Sequence, residues 1–324
     1  MIRRFKGKLE AVSVTSIRKG LIAIFLAACI CGTTQKLHAA TPTPAELAAT
    51  APRLSSDDAK PKAFHVSGLL APGKAMLGFE VTWRKAGRYS IRVLDASDQT
   101  PLFWIVDGHT LFYSPLDEAI EVAENTSADF QIDAVSDKLN FNFGFRGNAR
   151  GKTPESIVID VKSIISTAAL NPGARPIAPT GFELTGATPR GSILRATVDP
   201  SRTPTFSQMM FAPKEDPAHP AFALEKIEAD LPDDSQAFRF PTRQALAALM
   251  RVHDFTEAES KAAMNKLIIS ITYRFALRDP TAREQLEKQL GKIDWAAAAQ
   301  KDAKASAALR QAMKEAPVIP ESTK

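Results

Sequence analysis

The stretch from Phe79 to Val122, FEVTWRKAGRYSIRVLDASDQTPLFWIVDGHTLFYSPLDEAIEV, decides the fold. Apolar residues alternate with polar ones in two successive runs of it, which are Phe79, Val81 and Trp83, and then Tyr89, Ile91 and Val93. Period-2 alternation is typical of strands with one face on an apolar interior. Residues 85–88 between the runs include Gly87, which takes positive φ readily, so we expect a hairpin turn there.

A second hairpin is predicted farther along the same stretch. Residues 102–106 form a strand pattern that ends in Asp107-Gly108, the strongest short hairpin signal in the chain. Residues 110–113 then run back, and residues 120–122 begin another strand. The stretch therefore predicts a series of neighbouring antiparallel strands against which the rest of the chain must pack.

The first forty residues have the features of an export signal. They hold seven Lys or Arg and one acid, and their basic start is followed by an apolar run over residues 21–31. This run is shorter than the roughly 20 apolar residues that span a membrane. A polar stretch then leads to Ala39 and Ala40, as at a cleavage site. We expect cleavage after one of these alanines and release of a soluble protein into the periplasm.

A second processing route fits the same segment. Residues 26–29, Leu-Ala-Ala-Cys, match the bacterial lipoprotein pattern, in which Cys29 is acylated and anchors the mature chain. Cys29 and Cys31 are the only cysteines, so the soluble product would have none. An exported chain without disulfides is stabilised by core burial alone, and a metal site built on thiolates is excluded.

The net charge changes sign along the chain. It is +5 in total, but without residues 1–40 there are 34 basic and 35 acidic residues, which argues against a nucleic-acid binder. Residues 41–242 carry a net charge of −5 and residues 243–324 a net charge of +4. The two parts could dock on each other, or the basic part could bind a membrane surface or a protein partner. We favour a third interpretation, a solvated helical appendage, and we expect a monomer.

Five segments are predicted. They are an export signal (1–40), a linker with one helix at Pro44–Thr50 (41–62), a β domain (63–242), a helical region (243–316) and a polar tail (317–324). Besides the stretch already quoted, strands are expected in the β domain at 64–70, 130–132, 139–145, 182–185, 192–198, 206–211, 222–231 and 237–241.

The helical region shows clear start and stop signals. A short apolar stripe comes first, formed by Leu246, Leu249 and Met250. The capping box at residues 256–259 begins the next helix, which runs to about Phe275. Asp279-Pro280 begins a third helix that ends near Gly291, and residues 295–313 form a fourth.

One helix is also predicted inside the β domain. Thr153 is a suitable N-cap before Pro154, and the helix would continue to about Ala169. Ile157, Val161, Ile164 and Ile165 would share one face, which must cover an apolar sheet face. The preceding run 139–145 places Phe141, Phe143 and Phe145 on one side. It is either a plain core strand or one wall of an apolar cavity.

Catalytic chemistry is not indicated by any motif. The sequence lacks G-x-S-x-G, H-E-x-x-H, S-x-x-K and a Gly-rich phosphate loop. The histidines after residue 40 are far apart, and His109 falls in a predicted hairpin turn, where a polar turn residue is the simpler interpretation. The sequence therefore predicts no enzyme, no cofactor and no metal site.

The β domain contains four further motifs, which are Trp83-Arg84-Lys85-Ala86-Gly87-Arg88-Tyr89, Val106-Asp107-Gly108-His109-Thr110-Leu111 with Tyr113 and Pro115, Glu118-Ala119-Ile120-Glu121-Val122, and Phe238-Arg239-Phe240-Pro241. Taken together, they resemble motifs of the LolA/LolB/RseB superfamily of bacterial envelope proteins. These are similar to the family's basic turn, its DG-x-T-L hairpin with Y-x-P, the next strand and the closing strand. The resemblance covers roughly residues 63–242 and leaves the helical region outside.

The resemblance implies a half-open antiparallel β-barrel with a helical lid. Together with the small C-terminal helical region predicted from the capping signals, this gives an α+β fold. The resemblance also implies a periplasmic carrier that holds acyl chains of a lipid or lipoprotein without chemistry. The expected cavity residues are Phe79, Val81, Trp83, Tyr89, Ile91, Val93, Trp104, Phe141, Phe143, Phe145, Ile157, Val161 and Ile164. The rival hypothesis is an envelope sensor or interaction module of the same fold, with the helical tail docking a protein partner.

Overall fold

The structure is a computed structural model that describes residues 43–57, 62–71, 76–85, 87–133, 138–146, 156–167, 169–170, 175–177, 181–199, 201–202, 206–216, 220–232 and 235–320. The predicted export signal and Cys29 lie outside these residues, as do Thr153, Pro154 and residues 321–324.

The strands are β1 (Arg53–Ser55), β2 (Ala63–Leu70), β3 (Leu77–Arg84), β4 (Arg88–Asp95), β5 (Thr100–Val106), β6 (His109–Ser114), β7 (Ala119–Ala123), β8 (Thr126–Asp133), β9 (Lys138–Phe145), β10 (Ser156–Asp160), β11 (Ala169–Leu170), β12 (Arg175–Ile177), β13 (Gly181–Ala187), β14 (Ile193–Val198), β15 (Phe206–Ala212), β16 (Phe222–Ala229) and β17 (Arg251–Asp254). The α-helices are α1 (Pro44–Thr50), α2 (Val161–Thr167), α3 (Arg243–Ala247), α4 (Ser260–Ala276), α5 (Pro280–Leu290) and α6 (Trp295–Glu315).

The fold is α+β, with one large, mostly antiparallel sheet and helices at the C-terminal end. Its strands follow the order β11-β13-β14-β15-β16-β2-β3-β4-β5-β6-β7-β17, and β12 pairs with β13. Only the pairing of β17 with β7 is parallel among the described strands of this sheet. The two ends of this order do not pair with each other, so the sheet is not closed into a barrel.

The two hairpins predicted from the opening stretch are confirmed. Strands β3 and β4 pair with Val81 opposite Ile91, and Gly87 in their turn has a φ of 78°. The turn between β5 and β6 places Asp107 at a φ of 48° and Gly108 at 95°. A two-residue turn with both φ angles positive matches the twist of the flanking strands, which is why Asp-Gly is such a strong signal.

A second sheet covers one face of the large sheet. It has the order β1-β10-β8-β9, in which β10 and β8 are parallel. Aromatic rings join the two layers, since Phe79 lies 5.7 Å from Phe130 and Phe103 lies 5.1 Å from Phe141 between ring centroids. The main hydrophobic core therefore lies between the two sheets.

Two segments that we predicted to lie outside strands belong to the second sheet. Residues 41–62 were expected to be a linker that contains one helix at Pro44–Thr50. The helix is confirmed. The linker is not, because Arg53–Ser55 pairs with β10 and buries Leu54 in the core. The expected helix 154–169 is wrong in its first part, because Ser156–Asp160 is a strand. Ile157 and Ile159 are buried with period 2, whereas α2 begins only at Val161. β-Branched residues in a row favour this extended conformation.

The expected closing strand at 237–241 is not formed. Residues Ser235–Phe238 are a 3₁₀ helix, and Arg239 makes only an isolated bridge with Val318. The other strands expected between residues 64 and 231 are confirmed, with shifts of a few residues at their ends. The expected capping box is formed in one half only, because Glu259 accepts from the N–H and the hydroxyl of Thr256 but the N–H of Glu259 donates to the Thr256 carbonyl, and α4 begins at Ser260 after a 3₁₀ turn. Asp279 caps α5 through Ala282.

The helical region is not a solvated appendage, which corrects our preferred interpretation. Its cations pair with acids of the large sheet and its turns, and each pair joins the two parts that we expected to carry opposite net charge. The pairs are Arg274 with Asp95 and Asp98, Arg278 with Asp95, Arg310 with Asp98, Lys266 with Glu121, and Lys301 with Glu118. The alternative in which the two parts dock on each other is therefore confirmed.

Candidate ligand-binding cleft

A cleft of about 1430 Å³ opens where four parts of the chain meet. These parts are the turns at residues 87–88 and 107–109, the ends of β7 and β9, the segment around α3, and the C-terminal residues 317–320. The lining residues are spread between residues 87 and 320 of the sequence, so the cleft exists only in the folded chain. We call it the end cleft.

The floor of the end cleft is apolar. Phe145 and Phe255 stack with a centroid distance of 5.7 Å and an interplanar angle of 20°. Leu246 and Val122 line the cleft beside them, and Leu246 and Phe255 are buried. Phe255 also lies 6.1 Å from Phe143, which belongs to the aromatic core between the sheets. The floor of the cleft is thus continuous with the core.

Two arginines and one acid line one wall of the end cleft. Arg88 donates from Nε to Oδ2 of Asp107 at 2.9 Å, and its guanidinium lies 4.3 Å from the ring centroid of Phe238. Arg146 is exposed at the same wall, with its guanidinium carbon 6.0 Å from the ring centroid of Tyr89. The backbone N–H of Tyr89 in turn donates to Asp107 at 2.8 Å.

One arginine and two acids line another wall. Both guanidinium nitrogens Nη1 and Nη2 of Arg243 donate to the carboxylate of Asp254, with an Nη2–Oδ2 distance of 3.0 Å. This hydrogen bonding raises the pKa of Arg243, and the negative charge of Glu124 contributes a smaller effect. Glu124, Arg243 and Asp254 are all exposed and line the cleft.

The C-terminal segment closes a further side of the end cleft. The N–H of Phe240 donates to the carbonyl of Pro317 at 3.0 Å, and the N–H of Ile319 donates to the carbonyl of Phe238 at 2.9 Å. Arg88 adds a hydrogen bond from Nη2 to the carbonyl of Ile319 at 2.8 Å. The residues that we expected to be a polar tail thus form a fixed wall as far as Pro320.

His109 lines the cleft as well, where it begins β6 directly after the turn. Its Nδ1 atom is buried and has no hydrogen-bond partner among the described residues, and its ring lies 5.8 Å from that of Phe240. A general base is normally oriented by a second polar group, and the described part of the chain provides none at this nitrogen. The same part of the chain contains no group of three or more His, Cys, Asp or Glu residues that could hold a metal ion.

The thirteen residues expected to line a cavity are not brought together around one. Nine are buried among the side chains of the core, which are Phe79, Val81, Trp83, Tyr89, Ile91, Trp104, Ile157, Val161 and Ile164. Val93, Phe141 and Phe143 are half-buried beside them, and only Phe145 lines the end cleft. The space that we expected to be hollow holds the rings of Phe130, Phe141 and Phe143 where they meet the large sheet.

Trp104 lies on the other face of the large sheet. It pairs with Arg92 and Leu111 in register, whereas its neighbour Phe103 pairs with Val93 and faces the second sheet. The guanidinium of Arg92 lies 4.7 Å from the Trp104 ring, and the ring of Phe240 lies 5.3 Å away. Alternation along β5 separates the two rings, so Trp104 cannot share a cavity with Phe79 or Val81.

Sequence reasoning missed most residues of the end cleft. Arg243, Leu246, Asp254 and Phe255 fall in the region that we treated only as helical, and Val318 falls in the expected tail. The one available signal was the sequence Pro-Val-Ile-Pro at 317–320, since two apolar residues between prolines are unusual for a solvated tail. That signal does not say what the segment packs against.

A second cluster of charged residues is structural. Arg274 is 4% exposed and donates to Asp95, Asp98, Asp302 and Ser306. Burial acts to raise the pKa of Asp95, but hydrogen bonds from Arg278, Ser97 and Arg274 outweigh it and lower this pKa far below its usual value. A buried ion cluster whose groups are paired with one another joins elements of the fold and has no free group for chemistry.

Comparisons with known proteins give little further guidance. No family model matches this chain, and no curated protein matches it. Among solved structures, an uncharacterized conserved protein from Thermus thermophilus aligns at 8% identity over 60% of this chain and 91% of the other, with a TM-score of 0.29. A score at this level supports no statement about function. None of the helices described is long and apolar enough to cross a membrane.

Proposed function

We propose that this chain is a non-catalytic binding protein of the LolA/LolB/RseB-like type, and that it holds an acyl chain of a lipid or lipoprotein in the end cleft. The observation that carries the proposal is the make-up of the cleft. Buried Leu246 and Phe255 form an apolar floor, while the charged side chains lie at its exposed walls. An amphiphile has the same arrangement, with an apolar chain that must be buried and a polar headgroup that must remain in water.

The size of the cleft suits such a ligand. Its volume of about 1430 Å³ exceeds the roughly 300–1,000 Å³ of pockets for drug-sized molecules. Each buried methylene contributes about 0.8 kcal/mol, so about fifteen of them, roughly 12 kcal/mol, would offset an association cost of about 4 kcal/mol and leave an affinity near 1 μM. The charged walls can bind the headgroup without being desolvated.

In this proposal the large sheet is a half-open antiparallel barrel, and the second sheet with α2 covers its inner face in place of a helical lid. The acyl chain then binds beside the covered core and not in place of it. The stacked rings of Phe145 and Phe255 separate the ligand from the interior. Opening this aromatic contact would lengthen the available channel toward Phe143.

The proposal also includes export to the periplasm, as expected from residues 1–40. The soluble form and the form anchored through Cys29 differ in mass by the acyl groups and by the length of the cleaved segment. An intact-mass measurement of the native mature protein therefore distinguishes them.

Binding can be tested by narrowing the cleft. Val318 is half-buried in the wall formed by residues 317–320, and Val318→Trp would place an indole in the space proposed for the acyl chain. We expect wild-type protein to bind monomyristoylglycerol or a myristoyl lysophospholipid in calorimetry, and Val318→Trp to bind at least about tenfold more weakly, the loss of roughly two buried methylenes.

Val252→Trp is the matched control, because Val252 is a half-buried valine on β17 that does not line the cleft. Urea denaturation would verify that both variants fold. Equal affinity of wild type and Val318→Trp would contradict the site, and failure of the wild type to bind any of these amphiphiles would contradict the function.

A further inference from the structure

A buried carboxylate lies directly behind the floor of the end cleft. Glu121 belongs to β7, two residues before Ala123, which lines the cleft. Residues two apart on a strand share a face and are separated by about 6–7 Å. Glu121 is 5% exposed, a degree of burial that glutamate side chains rarely reach. The cleft therefore ends close to a carboxylate that does not belong to its lining.

Aromatic rings separate Glu121 from the end cleft. Phe112 on β6 lies directly opposite Glu121, so the two side chains share one face of the large sheet. The ring centroid of Phe112 is 5.5 Å from that of Phe255 in the cleft floor and 5.5 Å from that of Phe143. A movement of the Phe255 ring away from Phe145 would therefore open the cleft toward Glu121 as well as toward Phe143.

One oxygen of the Glu121 carboxylate has no partner. Oε1 accepts a hydrogen bond from Nζ of Lys266 on α4. Oε2 is buried and has no hydrogen-bond partner among the described residues. A buried polar atom without a partner carries a desolvation cost that remains uncompensated. Next to an apolar channel, such an atom is an acceptor for a donor group of the ligand.

The surroundings of this oxygen limit the donor that it can take. Glu121 already pairs with Lys266, so a second cation would leave an excess positive charge in an apolar place. An amide N–H donates as well, but its carbonyl would need a donor, and the neighbouring rings of Phe112, Phe143 and Phe255 offer none. A hydroxyl group donates one hydrogen bond without adding charge.

We infer that the end cleft selects acyl chains that carry a hydroxyl group near the end farthest from the headgroup, and that this hydroxyl donates to Oε2 of Glu121. The inference rests on the proposed function, because the apolar chain supplies most of the affinity and the hydroxyl only the selection. Glu121 lies behind the floor of the cleft and not at its mouth, so a hydroxyl next to the headgroup would not reach it.

Three fatty acids of one chain length test the selection, namely palmitic acid, ω-hydroxypalmitic acid and α-hydroxypalmitic acid. Calorimetry with the full-length protein, below the critical micelle concentrations, gives the three affinities. We expect ω-hydroxypalmitic acid to bind about tenfold more tightly than palmitic acid, which is the lower end for a hydrogen bond to a charged group. The α-hydroxy acid should bind like palmitic acid, because its hydroxyl stays in water at the mouth of the cleft.

Glu121→Leu should reverse the preference. The ω-hydroxyl would then be buried without an acceptor, so this variant should bind ω-hydroxypalmitic acid more weakly than palmitic acid. Lys266 is 38% exposed and can turn to water when its partner is removed. Glu228→Leu is the matched control, since Glu228 on β16 also pairs with a lysine, Lys226 at 2.9 Å, and does not line the cleft. It should keep the wild-type preference.

Each outcome has a separate meaning. If wild-type protein binds ω-hydroxypalmitic acid no more tightly than palmitic acid or the α-hydroxy acid, the inference is overturned and the proposed function remains. A preference that persists in Glu121→Leu, or that is lost equally in Glu228→Leu, would also overturn it. The comparison within the wild type decides the matter even if urea denaturation shows that Glu121→Leu does not fold. Absence of binding for all three acids would overturn the proposed function together with the inference.

Discussion

Replacing Arg274 by Met should destabilise the protein by about 3–5 kcal/mol, because the change removes the buried guanidinium that Asp95 and Asp302 share. Asp95 is 2% exposed and Asp302 is 8% exposed. They accept from Arg274 at 2.8 and 2.7 Å. Methionine fills a similar volume but donates no hydrogen bond. The change in the free energy of unfolding therefore measures the lost charge and hydrogen bonds and does not include the cost of a cavity.

Arg278→Met is the matched control just beyond the end of the same helix. Arg278 also pairs with Asp95, at 3.0 Å, but its side chain is 42% exposed. Exposed ion pairs contribute about 0–1 kcal/mol, so we expect a loss in that range. The double variant Arg274→Met with Asp302→Asn should be more stable than the sum of the two single losses predicts, because it removes both partners of one buried pair.

Urea denaturation followed by circular dichroism gives the free energies of unfolding for wild type and all variants. The helical region and the large sheet should unfold in one transition, since Arg274 links α4 to Asp95 at the end of β4 and to Asp302 in α6. Similar losses for Arg274→Met and Arg278→Met would refute the reasoning. Additivity of Arg274→Met and Asp302→Asn would refute it as well.

Two further predictions concern single residues. The folded-state pKa of Asp95 is lowered, so the contribution of its carboxylate to stability is present above the unfolded-state pKa of about 3.9 and is lost as the pH falls below it. The difference in unfolding free energy between wild type and Asp95→Asn should therefore shrink between about pH 5 and pH 3. A difference that stays constant over this range would contradict the prediction. Gly68→Ala would place a Cβ 2.0 Å from the carbonyl oxygen of Ala223 and should lower the free energy of unfolding by about 1–3 kcal/mol. Gly78→Ala on the adjacent strand meets only an ordinary contact of 3.7 Å and should lower it by less than about 1 kcal/mol. Equal losses in thermal denaturation would contradict this and show that the strands move apart.

Local signals in the sequence were sufficient for the hairpins and most helices. Asp107-Gly108 and Gly87 fix two turns, and the strands on either side follow from their alternation. The capping box at residues 256–259 and the Asp-Pro start at residue 279 likewise mark helix ends through contacts three residues apart. Such features are readable because the atoms that interact are neighbours in the chain.

The secondary-structure prediction was wrong where the helical and the strand periodicity of apolar residues both fit the same segment. Ile157, Val161 and Ile164 match a helical face, but Ile157 and Ile159 also match a strand, and pairing of β10 with both β1 and β8 decided in favour of the strand. A strand that is hydrogen-bonded on both sides satisfies its backbone fully. The pairing with β1 joins residues about one hundred positions apart, as in Leu54 opposite Ile159, and the pairing with β8 joins Ile157 to Phe130; the sequence gives no direct sign of either.

The residues of the end cleft could not be predicted from the sequence, because they too are far apart in the chain. The walls of the cleft come from Arg88, Arg146, Arg243 and Val318, which are brought together only by the order of the strands and the packing of the helical region. The difference in net charge between residues 41–242 and 243–324 did indicate that the two parts attract each other. It could not indicate which pairs form, because long-range attraction does not specify contacts.

Photo-crosslinking tests the central claim most directly, namely that an acyl chain binds in the end cleft. A myristoyl lysophosphatidylethanolamine with a diazirine near the end of its chain would be bound to the full-length protein, irradiated and located by peptide mapping. The account predicts labelling of the segments that contain Phe145, Phe255 and Val318, and loss of this labelling in Val318→Trp but not in Val252→Trp. Labelling concentrated at Ile91 and Phe103 between the two sheets, or at no segment in particular, would contradict it.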